Sequence, residues 1–207
     1  MGCRGSSVLS PAEIRERYEE VCAAVGPHVT VVAATKYVSV EDMAVLAEAG
    51  VRVVGENRAQ DLEAKHARYG DAFRWHFIGK LQSNKAKVVN RICDLVHSVD
   101  SLTTARRLEV PSLVQVNLAG EVSKAGVPPE EVPGFLRDGV VGLSTMPPAA
   151  ADPETSRPWF ASLRELAAQH GLRELSMGTT QDFRVAAEEG ATYVRVGSIL
   201  FGDRSGR

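Results

Sequence analysis

The chain has 207 residues, 44% of them hydrophobic and 24% charged, the balance of one ordinary folded domain and not of a disordered or fibrous chain. Its 26 acidic and 24 basic residues nearly cancel, so no overall field draws it to nucleic acid or to an anionic membrane, and a small-molecule partner is expected. Cys3, Cys22 and Cys93 are odd in number and far apart, with no Cys-x-x-Cys and no zinc-ligand spacing, which argues for a reducing, cytoplasmic setting without a disulfide framework or metal.

Short β-branched runs ending in polar or glycine residues recur along the chain, each followed by a segment of helical character. The predicted strands are Thr30 to Thr35, Val51 to Val54, Arg74 to Ile78, Asp94 to His97, Ser112 to Val116, Val140 to Leu143, Leu172 to Ser176 and Thr192 to Val196. Between the first two lies a predicted helix, Val40 to Ala49, with Met43, Leu46 and Ala47 on one face and Ser39 with Asp42 placed as a capping box. Eight β/α alternations predict the α/β class and a single (β/α)8 TIM barrel over residues 1–207, with a doubly wound open sheet as the rival arrangement. No apolar run reaches the roughly 18 residues of a spanning helix, and no apolar signal core precedes the polar stretch from Glu13 to Glu20. The start Met1-Gly2-Cys3-Arg4-Gly5-Ser6 fits the loose myristoylation pattern, which short Gly/Ser starts match by chance.

In a parallel barrel the reactive face lies at the carboxyl ends of the strands, so the polar residues closing each strand are the candidates. Alternation along the first strand puts Val32, Ala34 and Lys36 on one side; if that side faces the axis, Lys36 stands at its top. A lysine in a partly desolvated site is pushed toward the neutral amine that condenses with an aldehyde; the alternative is a surface lysine past a strand end. After the seventh strand, Ser176-Met177-Gly178-Thr179-Thr180-Gln181-Asp182 offers glycine and hydroxyls beside a helix start, and Arg195-Val196-Gly197-Ser198 does the same after the eighth. Those are the two loops where barrels often bind phosphate, although Thr179 and Ser198 could instead be simple helix caps. An inward Arg195 would need an anion or a strong acceptor opposite it, such as a phosphate or a pyridine nitrogen. Asn57 either lines the pocket or caps the next helix, and His76 is either a pocket residue or a satisfied core histidine. Lys80, Lys85 and Lys87 fit a solvated helix face better than a phosphate site.

Together these segments resemble the pyridoxal phosphate homeostasis proteins of the YggS type, related in fold to the barrel domain of alanine racemase. The likeness runs nearly end to end. It is carried by Ala34-Thr35-Lys36, Gly55-Glu56-Asn57, His76-Phe77-Ile78-Gly79, Leu81-Gln82-Ser83-Asn84-Lys85, His97-Ser98-Val99-Asp100-Ser101, Gln115-Val116-Asn117, Lys124-Ala125-Gly126, Gly142-Leu143-Ser144-Thr145-Met146, Leu175-Ser176-Met177-Gly178 and Val194-Arg195-Val196-Gly197-Ser198. The resemblance implies fold type III of the pyridoxal 5′-phosphate proteins without the racemase C-terminal β domain. It also implies a Schiff base on Lys36, phosphate on Thr180, Gly197 and Ser198, Arg195 facing the pyridine nitrogen, and Lys124 as a secondary cofactor contact. Thr179, Thr180 and Ser198 stand where methionine, serine and threonine are more usual in such proteins. The chain is also trimmed between Leu108 and Pro111 and between Leu136 and Val140, which predicts thinner cover over two strands.

Three functions follow from this reading. The favoured one is a monomeric, non-catalytic carrier in vitamin B6 homeostasis, with cofactor-dependent apoenzymes as possible recipients. An amino-acid racemase would need a second acid/base, for which neither Tyr37 nor Tyr193 is an evident substitute. A Schiff-base aldolase on a sugar phosphate would use the same lysine and loops without a cofactor.

Overall fold

Eight short parallel strands close into a barrel in sequence order, with the last strand hydrogen-bonded back to the first, in a computed structural model that describes residues 10–121 and 125–202. The strands are β1 (Thr30–Ala34), β2 (Val53–Glu56), β3 (Arg74–Phe77), β4 (Leu95–Val99), β5 (Ser112–Gln115), β6 (Val140–Ser144), β7 (Glu174–Ser176) and β8 (Tyr193–Val196). The open-sheet alternative is therefore excluded. The helices are α1 (Pro11–Val25), α2 (Met43–Ala49), α3 (Ala59–Tyr69), α4 (Ala86–Ile92), α5 (Leu102–Ala105), α6 (Arg157–Gln169), α7 (Phe183–Glu188) and α8 (Ser198–Phe201). Cys3, the Met1-to-Ser6 pattern and Lys124 lie outside the described residues.

α1 starts with a true capping box: Ser10 Oγ accepts from the Glu13 N–H, and Glu13 accepts from the Ser10 N–H at 2.7 Å. It packs against α2, α7 and α8, and so covers the seam where α8 is only four residues long. The box expected at Ser39 and Asp42 is half present. Ser39 Oγ accepts from the Asp42 N–H at 3.1 Å, but the helix begins at Met43 and buries Met43, Leu46 and Ala49, leaving Ala47 exposed.

Two strands begin two residues later than predicted, for one reason. Gly50 and Gly171 adopt positive φ at helix ends, and the next residue turns back: Val51 N–H donates to Leu46 O, and Leu172 N–H to Ala167 O. This 6→1 bond is the Schellman signature, and it ties the apolar residue after the glycine to the preceding helix instead of to the sheet.

The helical cover is short around both stretches, 108–111 and 136–140: α5 has four residues, and among its described residues the β5–β6 connection carries a 3-10 turn, Pro129–Phe135, interrupted by Pro133, and no α-helix. The thinner cover over the strands is not realised, because Leu108, Val132 and Phe135 are buried and Val96, Val114 and Val116 beneath remain sealed. Exposure falls on Leu102 and Leu136 instead.

Outward strand residues such as Val31, Ala33, Val54, Phe77 and Val194 join the helices in one core. The other face points into the barrel: a Cβ on Gly55 would meet the side chains of Val32 and Ile78 at 2.9 Å. Space between β6 and β7 is tighter still, since a Cβ on Gly142 would lie 1.9 Å from Glu174 O. Gly142→Ala is expected to destabilise by about 3 kcal/mol, the upper part of the usual overpacking range. Urea unfolding would show this as a lowered midpoint at unchanged slope. Among the described residues no helix is long and apolar enough to cross a membrane, and no group of three or more His, Cys, Asp or Glu could hold a metal.

Candidate functional site

A cavity of about 460 Å³ opens at the carboxyl ends of the strands. All six predicted site residues line it: Lys36 just past β1, Asn57 past β2, Thr180 after β7, Arg195 in β8, and Gly197 with Ser198 beyond it. Ala34, Ile78 and Met146 supply apolar wall. Two cations and several hydroxyls line the cavity and, among the described residues, no carboxylate does, an arrangement suited to an anionic small molecule.

Lys36 stands at the rim as alternation predicted, but exposed, with Nζ 4.7 Å from the Tyr37 ring centroid. The partial desolvation expected of it is not supplied by protein atoms. Its backbone is held from behind. Lys65, buried on the outward side, donates to Thr35 O at 2.8 Å and to Glu56 Oε1 at 2.5 Å, and Thr35 Oγ1 donates to the same carboxylate oxygen. Glu56 is fully buried and its Oε2 has no partner among the described residues. A second cleft of about 690 Å³, lined by Ser39, Arg58 and Lys65, also borders Lys36.

The two loops meet. Thr180 Oγ1 accepts from the Gly197 N–H at 3.2 Å, so that amide is engaged within the protein, while the Thr180 hydroxyl hydrogen remains available to a ligand. Asp182 organises the first loop: its Oδ1 accepts from Thr179 N–H at 2.7 Å and its Oδ2 from Ser156 Oγ at 2.8 Å. Neither Thr179 nor Ser198 makes a side-chain cap; the N-cap positions are held by Asp182 and Gly197, and neither supplies a side-chain capping bond to its helix. Asn57 does not cap α3 either, and its Oδ1 is buried without a partner among the described residues.

Beneath the cavity Arg195 is buried and donates to Ser176 Oγ at 2.6 Å and to Thr145 O at 2.9 Å. His97 bridges Ser176 Oγ at 2.7 Å and His76 Nδ1 at 2.9 Å. His76 is thus a core histidine, with Tyr193 edge-on to both rings. Lys80 pairs with Asp100 at 3.7 Å, and Lys80, Lys85 and Lys87 do not line the cavity. The Lys65 and His97 contacts were not foreseen. The signal lay in the alternation, which places His97 and Ser176 on inward faces, but alternation does not say which inward groups meet.

Burial lowers His76 to about 3, with the charge of Arg74 adding, and lowers His97 well below the usual value, with His76 and Arg195 adding. Both are neutral in the folded protein, whereas the unfolded chain binds protons at these residues below about pH 6.5. The unfolded state therefore binds more protons in that window, and stability falls as pH drops. A loss of about 3 kcal/mol between pH 6.5 and 5 is expected for the pair, before most carboxylates titrate. Urea unfolding at stepped pH in wild type and in His76→Phe would check it, the variant showing the shallower slope.

The family sequence model for the alanine racemase N-terminal domain matches residues 9–205. The pyridoxal phosphate homeostasis protein of Aquifex aeolicus is 36% identical over 222 residues, covering 93% of this chain and 96% of that one. The chain belongs to the pyridoxal phosphate homeostasis family. The protein of the same name from Pseudomonas aeruginosa is 41% identical over 176 residues, covering 75% of this chain and 76% of that one. Among solved structures, PipY of Synechococcus elongatus with pyridoxal phosphate bound is 34% identical with a TM-score of 0.80, covering 91% of this chain and all of that one. Alanine racemase of Corynebacterium glutamicum shares the fold alone, at 18% identity and a TM-score of 0.72, over 93% of this chain and 60% of that one.

Proposed function

We propose that this chain binds pyridoxal 5′-phosphate, linked to Lys36 as a Schiff base, and acts as a non-catalytic carrier in vitamin B6 homeostasis. The observation that carries the reading is the convergence of an amine, a buried guanidinium and two hydroxyl-bearing loops on one cavity that no carboxylate among the described residues lines. The residues fit the cofactor in another way: the orphaned Asn57 Oδ1 in the cavity wall calls for a donor from a ligand. When bound, the group supplies an aldehyde that condenses with amines and a ring that can draw electrons from an attached carbon.

Each residue has a role in holding it. Lys36 supplies the attaching amine. Thr180 and Ser198 donate hydroxyl hydrogens to the phosphate, with Gly197 letting the chain approach, and Arg195 donates to the pyridine nitrogen. An arginine there keeps that nitrogen unprotonated and weakens the ring as an electron sink, which suits storage better than amino-acid chemistry. Tyr193 begins β8 and packs on His76 and His97, outside the cavity lining, so it is not placed to serve as the second base of a racemase. Because the second cleft also borders Lys36, an incoming amine, such as a lysine of a recipient apoenzyme, has an approach to the linkage. Action as a monomer in the cytoplasm completes the reading.

The test is a titration of the purified protein with pyridoxal phosphate, followed by borohydride reduction and peptide mapping. A yellow absorption band and a reduced adduct on Lys36 are expected, with no D-enantiomer formed from L-alanine. No band and no adduct at excess cofactor would reject the reading. A colourless protein trapped by borohydride only with a sugar phosphate would favour the aldolase.

A further inference from the structure

Arg195 is buried, yet among the described residues its hydrogen-bond acceptors are all neutral, Ser176 Oγ, Ser176 O at 3.3 Å and Thr145 O, and the carboxylate of Asp182 acts on it through its field without accepting a hydrogen bond from it. A buried guanidinium is ordinarily matched by a carboxylate. Here a line of side chains runs inward from it, Arg195 to Ser176 to His97 to His76.

Hydrogen bookkeeping fixes the direction of that line. Arginine only donates, so Ser176 Oγ accepts from it. The serine has one hydrogen of its own, and among the described residues its other close partner is His97 Nδ1. Donation from Ser176 leaves His97 protonated on Nε2, which donates to His76 Nδ1 and leaves His76 protonated on its own Nε2. In the reverse arrangement His97 would donate to an oxygen already accepting from a cation, and the serine hydrogen would be stranded. Every donor thus points away from the charge, and each bond polarises the next.

We infer that His97, backed by His76, is the positioning residue for Arg195: a neutral imidazole chain that holds the guanidinium through Ser176 without cancelling its charge. A carboxylate in that place would fix the arginine equally well but would neutralise it. With imidazole, Arg195 keeps its positive charge, and its Nε hydrogen and second Nη2 hydrogen remain for the cavity, since no protein atom among the described residues accepts them. A neutral pyridine nitrogen can accept those hydrogens and a protonated one cannot. The histidine pair therefore sets the protonation state of the bound ring from two residues away, a role that rests on the cofactor reading above. Burial is the main force opposing protonation of the pair, and the charges of Arg74 on His76 and of Arg195 on His97 add to it.

The test starts with the cofactor-free wild-type protein. Long-range ¹⁵N–¹H correlation at pH 7.5 and 5.5 should show His97 and His76 each protonated on Nε2 alone, unchanged between the two. A proton on His97 Nδ1, or a charged imidazole at pH 5.5, would overturn the inference without any variant being made. His97→Asn keeps an acceptor near the Nδ1 position, whereas His97→Phe removes it. The slowly exchanging Arg195 side-chain N–H signals should persist in the Asn variant and broaden in the Phe variant. Pyridoxal phosphate affinity should fall about tenfold in His97→Phe and stay within about threefold in His97→Asn. Wild-type affinity and sharp Arg195 signals in a folded His97→Phe would also overturn it. Failure of the wild type to bind the cofactor would reject the proposed function while leaving the tautomer and Arg195 readouts to decide the positioning role.

Discussion

Lys36→Ala is expected to abolish the yellow band and the borohydride adduct while leaving the barrel folded. Lys36 is exposed, and among the described residues its side chain meets the Tyr37 ring, so its removal should change stability by no more than about 0.5 kcal/mol. The phosphate loops and Arg195 are untouched by the change, and non-covalent binding should persist at least about tenfold weaker. Lys36→Arg separates chemistry from charge: guanidinium stays protonated and cannot attack an aldehyde, so it should lose the band just as alanine does. Absorption titration of the three proteins, with mass spectrometry after reduction, checks this. A band surviving in Lys36→Ala would move the attachment to another lysine.

The second large effect is expected behind the site. Glu56 and Lys65 are 0% and 3% exposed, and Lys65 joins Glu56 to the Thr35 carbonyl. Lys65→Met would leave a buried carboxylate with only the Thr35 hydroxyl, at a cost of about 3–5 kcal/mol. For a domain of this size the thermal midpoint should fall by about 10 °C. Adding Glu56→Leu should recover most of the loss, because the penalty is the unpaired charge and not the missing bond. If the double variant is no more stable than Lys65→Met, the pair is not coupled in this way. Loosening the Thr35 carbonyl should also slow adduct formation at the adjacent Lys36, read as a reduced rate of band growth at saturating cofactor.

The sequence by itself determined the barrel and offered the candidates for the site. Eight β/α periods are a local signal, and in a parallel barrel the reactive residues sit at strand carboxyl ends, so position singled out Lys36, Asn57, Arg195 and the loops that carry Thr180, Gly197 and Ser198, while the family resemblance chose among the roles left open for them. The outward and inward sets followed from the two-residue period, as Val32 and Ala34 show. Strand starts were less legible, because Val51 and Leu172 are as β-branched or apolar as any strand residue, yet spend their N–H groups closing the preceding helix. Tertiary structure alone decided the pairings: Lys65 with Glu56, Thr180 with the Gly197 amide, and His97 with Ser176, 79 residues away. It also decided that Lys36 is exposed and that Leu108, Val132 and Phe135 seal what the shortened helices leave open. Period assigns a residue to a face, but strand register and the closure of the barrel bring particular atoms within hydrogen-bonding distance, and a hydrogen bond depends on tenths of an ångström that no local pattern encodes.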